Sequence, residues 1–156
     1  MKISKYDSKE YIITKHLDLL SHSRSKPSIQ KICEYCFLSR QTFYKYFTGY
    51  DDLASQTAAH LLPEHPTPSL PGLVMLIHEQ YVTLQIVCAT GLDDYISDQI
   101  LTLIHGIFYE KSSVSLFLQK CTVDILMNWI VDSCNLPPQT ITALCQKMLL
   151  LDKNTL

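Results

Sequence analysis

Between Ser28 and Leu53 the chain reads SIQKICEYCFLSRQTFYKYFTGYDDL, and the spacing of its apolar residues dictates two short helices joined by a tight turn. Ile29, Ile32, Cys33 and Cys36 recur at i, i+3, i+4 and i+7, the signature of one buried helix face. Ser28 stands where its hydroxyl accepts from the free N–H groups of that helix's first turn. Phe37 and Leu38 carry the chain to Ser39, a second N-cap. From Arg40 the next helix turns Phe43 and Phe47 inward, because residues four apart share a face. Arg40, Gln41, Tyr44 and Lys45 are left pointing outward. Gly49 is expected to end this helix in a left-handed conformation. Asp51 and Asp52 then fall where the positive end of a following helix favours carboxylates. A short helix braced from behind, with Arg, Gln, Tyr and Lys on its free side, is what a major groove accepts.

These residues resemble the DNA-binding head of the tetracycline-repressor (TetR) family of bacterial regulators. The match runs ungapped over the 26 residues 28–53. It covers the Ser28/Ile32 start, the small residues at 33 and 36, the Ser39 cap, the Thr42-Phe43-Tyr44-x-Tyr46-Phe47 block and Leu53. The TFYxYF block after a serine is its specific part. The chain departs from the family where Phe37 replaces a turn glycine, where Tyr50 replaces a lysine, and where the link from Ser21 to Pro27 lacks a glycine. The resemblance implies an all-α fold, with an N-terminal three-helix head containing a helix-turn-helix and then a helical-bundle body, about eight helices in all. It further implies a homodimer that binds double-stranded DNA at a palindromic operator, acts as a repressor, and is released by a small-molecule effector. Arg40 and Gln41 suit base reading, since Arg pairs bidentately with guanine and Gln with adenine. Ser39, Thr42, Tyr44, Lys45 and Tyr46 suit phosphate contacts, which set register. Ser28 and Tyr50, at the starts of their helices, complete the DNA-binding set.

Charge agrees with a polyanionic partner at one end. Residues 1–50 hold nine Lys/Arg against four Asp/Glu, a net of +5, whereas residues 51–156 hold four against eleven, a net of −7. A basic end on an acidic body points the N-terminal part toward nucleic acid. Lys2, Lys5, Lys9 and Lys15 precede or lie on a first helix, about Ser8 to Ser21 by its Ile13, Leu17 and Leu20 periodicity. Arg24 and Lys26 sit just before the Ser28 cap.

The fourth helix is expected from about Asp51 to Leu62, with Leu53, Ala54, Thr57, Ala58 and Leu61 on one side. Pro63, Pro66, Pro68 and Pro71 then forbid helix. The expected domains are therefore a head with its connecting helix over 1–62, a proline-rich linker over 63–72, and a dimerisation and effector body over 73–156. The body reads as four helices: Gly72 to Ala89, ended by Gly91; Asp93 to about Tyr109; Ser112 to about Cys134; and about Pro138 to Leu151. The first is almost wholly apolar but holds His78, Glu79, Gln80 and Gln85, too short and too polar for a membrane span; a helix buried on most sides is expected. Val114, Leu118, Cys121, Ile125 and Trp129 mark one stripe of the third helix, and Ile141, Leu144, Cys145, Met148 and Leu149 one of the last. In the family such a final pair meets its twin to build the dimer.

Other chemistry finds little support. Six cysteines (33, 36, 88, 121, 134 and 145) accompany a polar N-terminus without an apolar signal core, so a reducing cytoplasmic compartment and free thiols are expected. Cys33-x-x-Cys36 has metal-type spacing but lacks a second pair, and both fall on an inward face. No G-x-S-x-G, G-x-x-x-x-G-K-[ST] or H-E-x-x-H occurs. His60 and His65 read as loop histidines, and the Asp51-Asp52 and Asp93-Asp94 pairs as helix starts. No enzyme, cofactor or metal is expected. By family analogy, His78, Tyr81, Gln85, His105 and Tyr109 would line an effector pocket. A protein-interaction adaptor, whose body binds another regulator and whose head adds little DNA affinity, is the second reading.

Overall fold

The computed structural model describes residues 9–65, 68–108 and 112–150. It is all-helical, with 78% of the described residues in helix and no strand among them. Lys2, Lys5, Pro66 and Tyr109 lie outside the described residues. The chain divides into two compact units, Met1–Leu61 with Ile86–Ile96, and Leu62–Gln85 with Ser97–Leu156.

The first unit contains α1 (Lys9–Ser21), α2 (Ile29–Cys36), α3 (Arg40–Phe43) and α4 (Tyr50–Leu61). Helix α1 packs on α2 and α4, and α2 packs on α3. Ile12 and Leu19 of α1, Ile32 and Cys36 of α2, and Phe43 and Phe47 form the shared core. Two polar residues, His16 and Thr57, are fully buried in this unit, the His16 Nδ1 lying 2.9 Å from the Thr57 hydroxyl oxygen. That hydroxyl already donates to the Leu53 carbonyl at 2.8 Å. The histidine must therefore donate from Nδ1, which leaves Nε2 a buried acceptor with no partner. Burial pulls its pKa down to about 4, because the charged ring would lose its hydration.

Helix α3 is shorter than its sequence pattern suggests. After Phe43 the N–H groups of Lys45 and Tyr46 donate to carbonyls three residues back, at 3.2 and 3.0 Å, so the chain tightens into successive turns. Gly49 does not adopt the expected left-handed conformation; among the described residues Phe37, Gly91, Ser133 and Cys134 do. Helix α4 opens on Asp52, whose carboxylate accepts from the Thr48 N–H at 2.8 Å. Asp51 accepts from the Tyr95 hydroxyl at 2.5 Å, which ties the 86–96 segment to this unit.

Two further helices, α5 (Leu70–Val87) and α6 (Asp93–Ile107), are joined by a π-helical turn over Cys88–Leu92, where Gly91 takes φ 91. With this run counted as one body, the described residues form seven helices, against the expectation of about eight. In the second unit Ser69 caps α5, its hydroxyl oxygen accepting from the Gly72 N–H at 3.2 Å. Helices α7 (Ser113–Val131) and α8 (Pro138–Leu150) pack together. Gln85 donates to the Ile130 and Val131 carbonyls at 2.8 and 3.1 Å, at the end of α7 where helical N–H donors run out. The Trp129 indole N–H donates to the Leu136 carbonyl at 3.0 Å and fixes the α7–α8 turn.

Helix α5 is not buried on most sides, since Met75, Val82 and Ile86 are exposed. Leu70–Ile107 and Ser113–Val131 are each long and apolar enough, by length and composition, to cross a membrane. The first outruns the expected 72–89 helix because the π turn carries helical bonding past Gly91.

Candidate nucleic-acid interface

Helix α2 begins where Ser28 accepts from the Lys31 N–H at 3.2 Å, and α3 where Ser39 accepts from the Thr42 N–H at 3.0 Å. Both caps satisfy donors that the first turn of a helix leaves free. Between them the Phe37 and Leu38 N–H groups donate to Glu34 and Cys33 carbonyls, and Leu38 packs on the core. Beyond the second cap Phe43 and Phe47 are buried with ring centroids 5.4 Å apart. This anchorage decides which side of the segment is free. Arg40, Gln41 and Lys45 are exposed, and Tyr44 keeps 54% of its surface open while its ring edge meets Phe43.

The sequence-derived set thus divides. Arg40, Gln41, Tyr44 and Lys45 stand out from one short segment. Ser28 and Ser39 are exposed, with their oxygens engaged as caps. Thr42 is half-buried against Ser39, the two hydroxyls 3.0 Å apart, and Tyr46 is half-buried against the core. Tyr50 stands apart from the others. Its hydroxyl is buried without a partner, and its ring packs edge-on to His16 with Lys26 Nζ 4.2 Å from its centroid. Burial pushes the phenol pKa up and so keeps the hydroxyl protonated; it is the burial of its oxygen that withholds it from a phosphate. A period-four pattern could not show this, because the first residue of α4 is fixed by its packing on α1.

Cations in this unit fall into three groups, the first being Lys9, whose Nζ stands 5.8 Å from the Phe47 ring centroid. Lys15 lies 3.8 Å from Asp18, and Lys26 3.6 Å from Asp51. Among the described residues no ion pair holds Arg24, Lys31, Arg40 or Lys45. Those free charges are the ones a polyanion would meet. Cys33 and Cys36 are buried, and burial pushes the Cys36 thiol up to about 11, which suits inert core thiols. Among the described residues no group of three His, Cys, Asp or Glu could hold a metal.

The sequence matches no protein-family model and no curated protein.

Four of the five expected effector residues, His78, Tyr81, Gln85 and His105, are among the described residues. A cleft of about 340 Å³ in the second unit is lined by Pro63, Glu64, Leu73, Leu76, Leu103 and Ile107, among others, and by none of His78, Tyr81, Gln85 and His105. His78 stacks between Trp129 (5.8 Å) and Tyr81 (6.2 Å), Gln85 caps α7, and His105 is exposed. Tyr109 is outside the described residues. Polarity within an apolar helix singled these residues out, but polarity marks capping and stacking groups equally well. Sequence reasoning also passed over Phe37 as a surface feature, although a large apolar residue just past a helix end was visible.

Proposed function

We infer that the protein is a cytoplasmic DNA-binding transcriptional regulator of TetR type, a repressor that acts as a homodimer on a palindromic operator. One observation carries this reading: Phe43 and Phe47 pin a short segment whose Arg40, Gln41, Tyr44 and Lys45 remain exposed. Its N-terminal helix-turn-helix head would lie in the major groove, with Arg40 and Gln41 at base edges. The +5 charge of residues 1–50 supports it. Exposed Val114 and Phe117 on α7 and Leu144 on α8 support pairing of two subunits through the last two helices. Lys120 and Asp124, exposed in the middle of α7, favour an aqueous setting, since each would cost about 3 kcal/mol at a bilayer centre. Release by a small molecule rests on the family resemblance.

The same exposed apolar residues favour the second reading, an adaptor whose body binds another regulator. Selection of bound duplex from a random pool, followed by titration at rising salt, separates the two. A DNA regulator yields a palindromic product, and its affinity falls steeply with salt. An adaptor yields no enriched duplex.

A further inference from the structure

Helix α2 ends with the Phe37 N–H donating to the Glu34 carbonyl at 3.2 Å and the Leu38 N–H to the Cys33 carbonyl at 2.9 Å. This Schellman arrangement requires a left-handed residue at 37, a position where glycine carries no steric penalty. Phenylalanine occupies it at φ 55, ψ 40. Its ring is 91% exposed, so the strained backbone is not offset by burial. Leu38, the next residue, supplies the apolar contact that closes the motif. Nothing in the first unit therefore uses the Phe37 ring.

The ring stands beside the proposed readers. Three residues of chain span at most about 11 Å, so whatever meets Arg40 and Gln41 is within reach of residue 37. A phenyl ring has no hydrogen-bond donor or acceptor, and its selectivity can lie only in apolar contact. The major-groove edge of duplex DNA presents one apolar group, the C5-methyl of thymine.

We propose that Phe37 is a specificity-determining residue of the DNA interface, its ring packing on a thymine methyl beside the bases that face Arg40 and Gln41. This rests on the DNA-binding reading above.

The duplex recovered from a random pool by the full chain is synthesised twice, once with thymine and once with deoxyuridine, which differ in that methyl alone. The wild-type protein binds the thymine duplex about fourfold more tightly, the value of one buried methyl group. Phe37→Gly binds both duplexes equally, while its Tm rises by about 2–4 °C because the left-handed position is relaxed. Phe37→Asn, which also tolerates that conformation, loses the same preference without adding glycine's freedom. A Phe37→Gly protein that keeps the wild-type preference for thymine overturns the assignment, even where Arg40→Ala proves that the head binds DNA. Equal binding of both duplexes by the wild type overturns it too. Selection that enriches no duplex overturns the DNA-binding reading and this assignment together.

Discussion

His16 shows how one residue sets the conditions under which the first unit stays folded. Its ring donates to Thr57 and leaves Nε2 buried without a partner, so protonation would place a charge and a second N–H where nothing accepts it. The folded-state pKa of about 4 lies below the ordinary 6.5, so between these values the unfolded chain binds more protons. Stability is complete above pH 6.5 and falls as the pH drops toward 4, by roughly 2 kcal/mol at pH 5. Urea unfolding at pH 7 and pH 5 should show this drop in wild-type protein, and His16→Gln should abolish most of it. Asp51 and Asp52 are held below the ordinary carboxylate range, by the Tyr95 hydroxyl and the Thr48 N–H respectively. Their contribution is lost at lower pH still, so the two effects separate on the pH axis. At the proposed interface, Lys45→Ala should weaken binding to all duplexes and lower the salt slope by about 1. Arg40→Ala should relax preference at one base position by about 1–3 kcal/mol. Competition with a panel of singly substituted duplexes distinguishes these outcomes.

At the scale of the element, local chemistry was legible and packing was not. Ser28, Ser39 and Ser112 cap their helices as their hydroxyls and positions announced, because capping involves only the next three residues. Phe43 and Phe47 are buried as their spacing required. The length of α3 was hidden, since the switch to three-residue bonding after Phe43 depends on how both rings seat against α1 and α2. Gly49 looked like a terminator, but the left-handed residues lie elsewhere, at Phe37, Gly91, Ser133 and Cys134. The exposed side of α5 and the place of the cleft were likewise hidden, because apolar composition says nothing of which faces find neighbours. Two substitutions test the elements. A Cβ at residue 91 would meet nothing within 4 Å, so Gly91→Ala carries backbone strain alone. Thermal unfolding should register a loss of about 1–2 kcal/mol there. Ser69→Ala removes the α5 cap and should cost about 1 kcal/mol.

For the whole molecule, the decisive question is what meets the apolar surface of the last two helices. Leu118 and Trp129 of α7 and Ile141 and Cys145 of α8 are buried, so these account for the inward part of each stripe. Val114 and Phe117 remain 53% and 64% exposed, and with Cys121 they recur at i, i+3 and i+7 along α7. Leu144 and Leu150 extend the outward set on α8. A single chain leaves these residues in water, whereas a second copy related by two-fold symmetry could cover them with the same patch. Pairing would also let two heads address two half-sites about 34 Å apart, as a palindrome requires. Phe117→Glu places a charge at the centre of that patch and touches none of the proposed DNA-binding residues. Sedimentation should find a dimer for the wild type and a monomer for Phe117→Glu. Affinity for the palindromic duplex should fall by roughly a hundredfold, the order of advantage that bivalent attachment confers. Affinity for an isolated half-site should not change. A Phe117→Glu protein that stays dimeric, or that loses half-site binding as well, would remove α7 from the subunit contact.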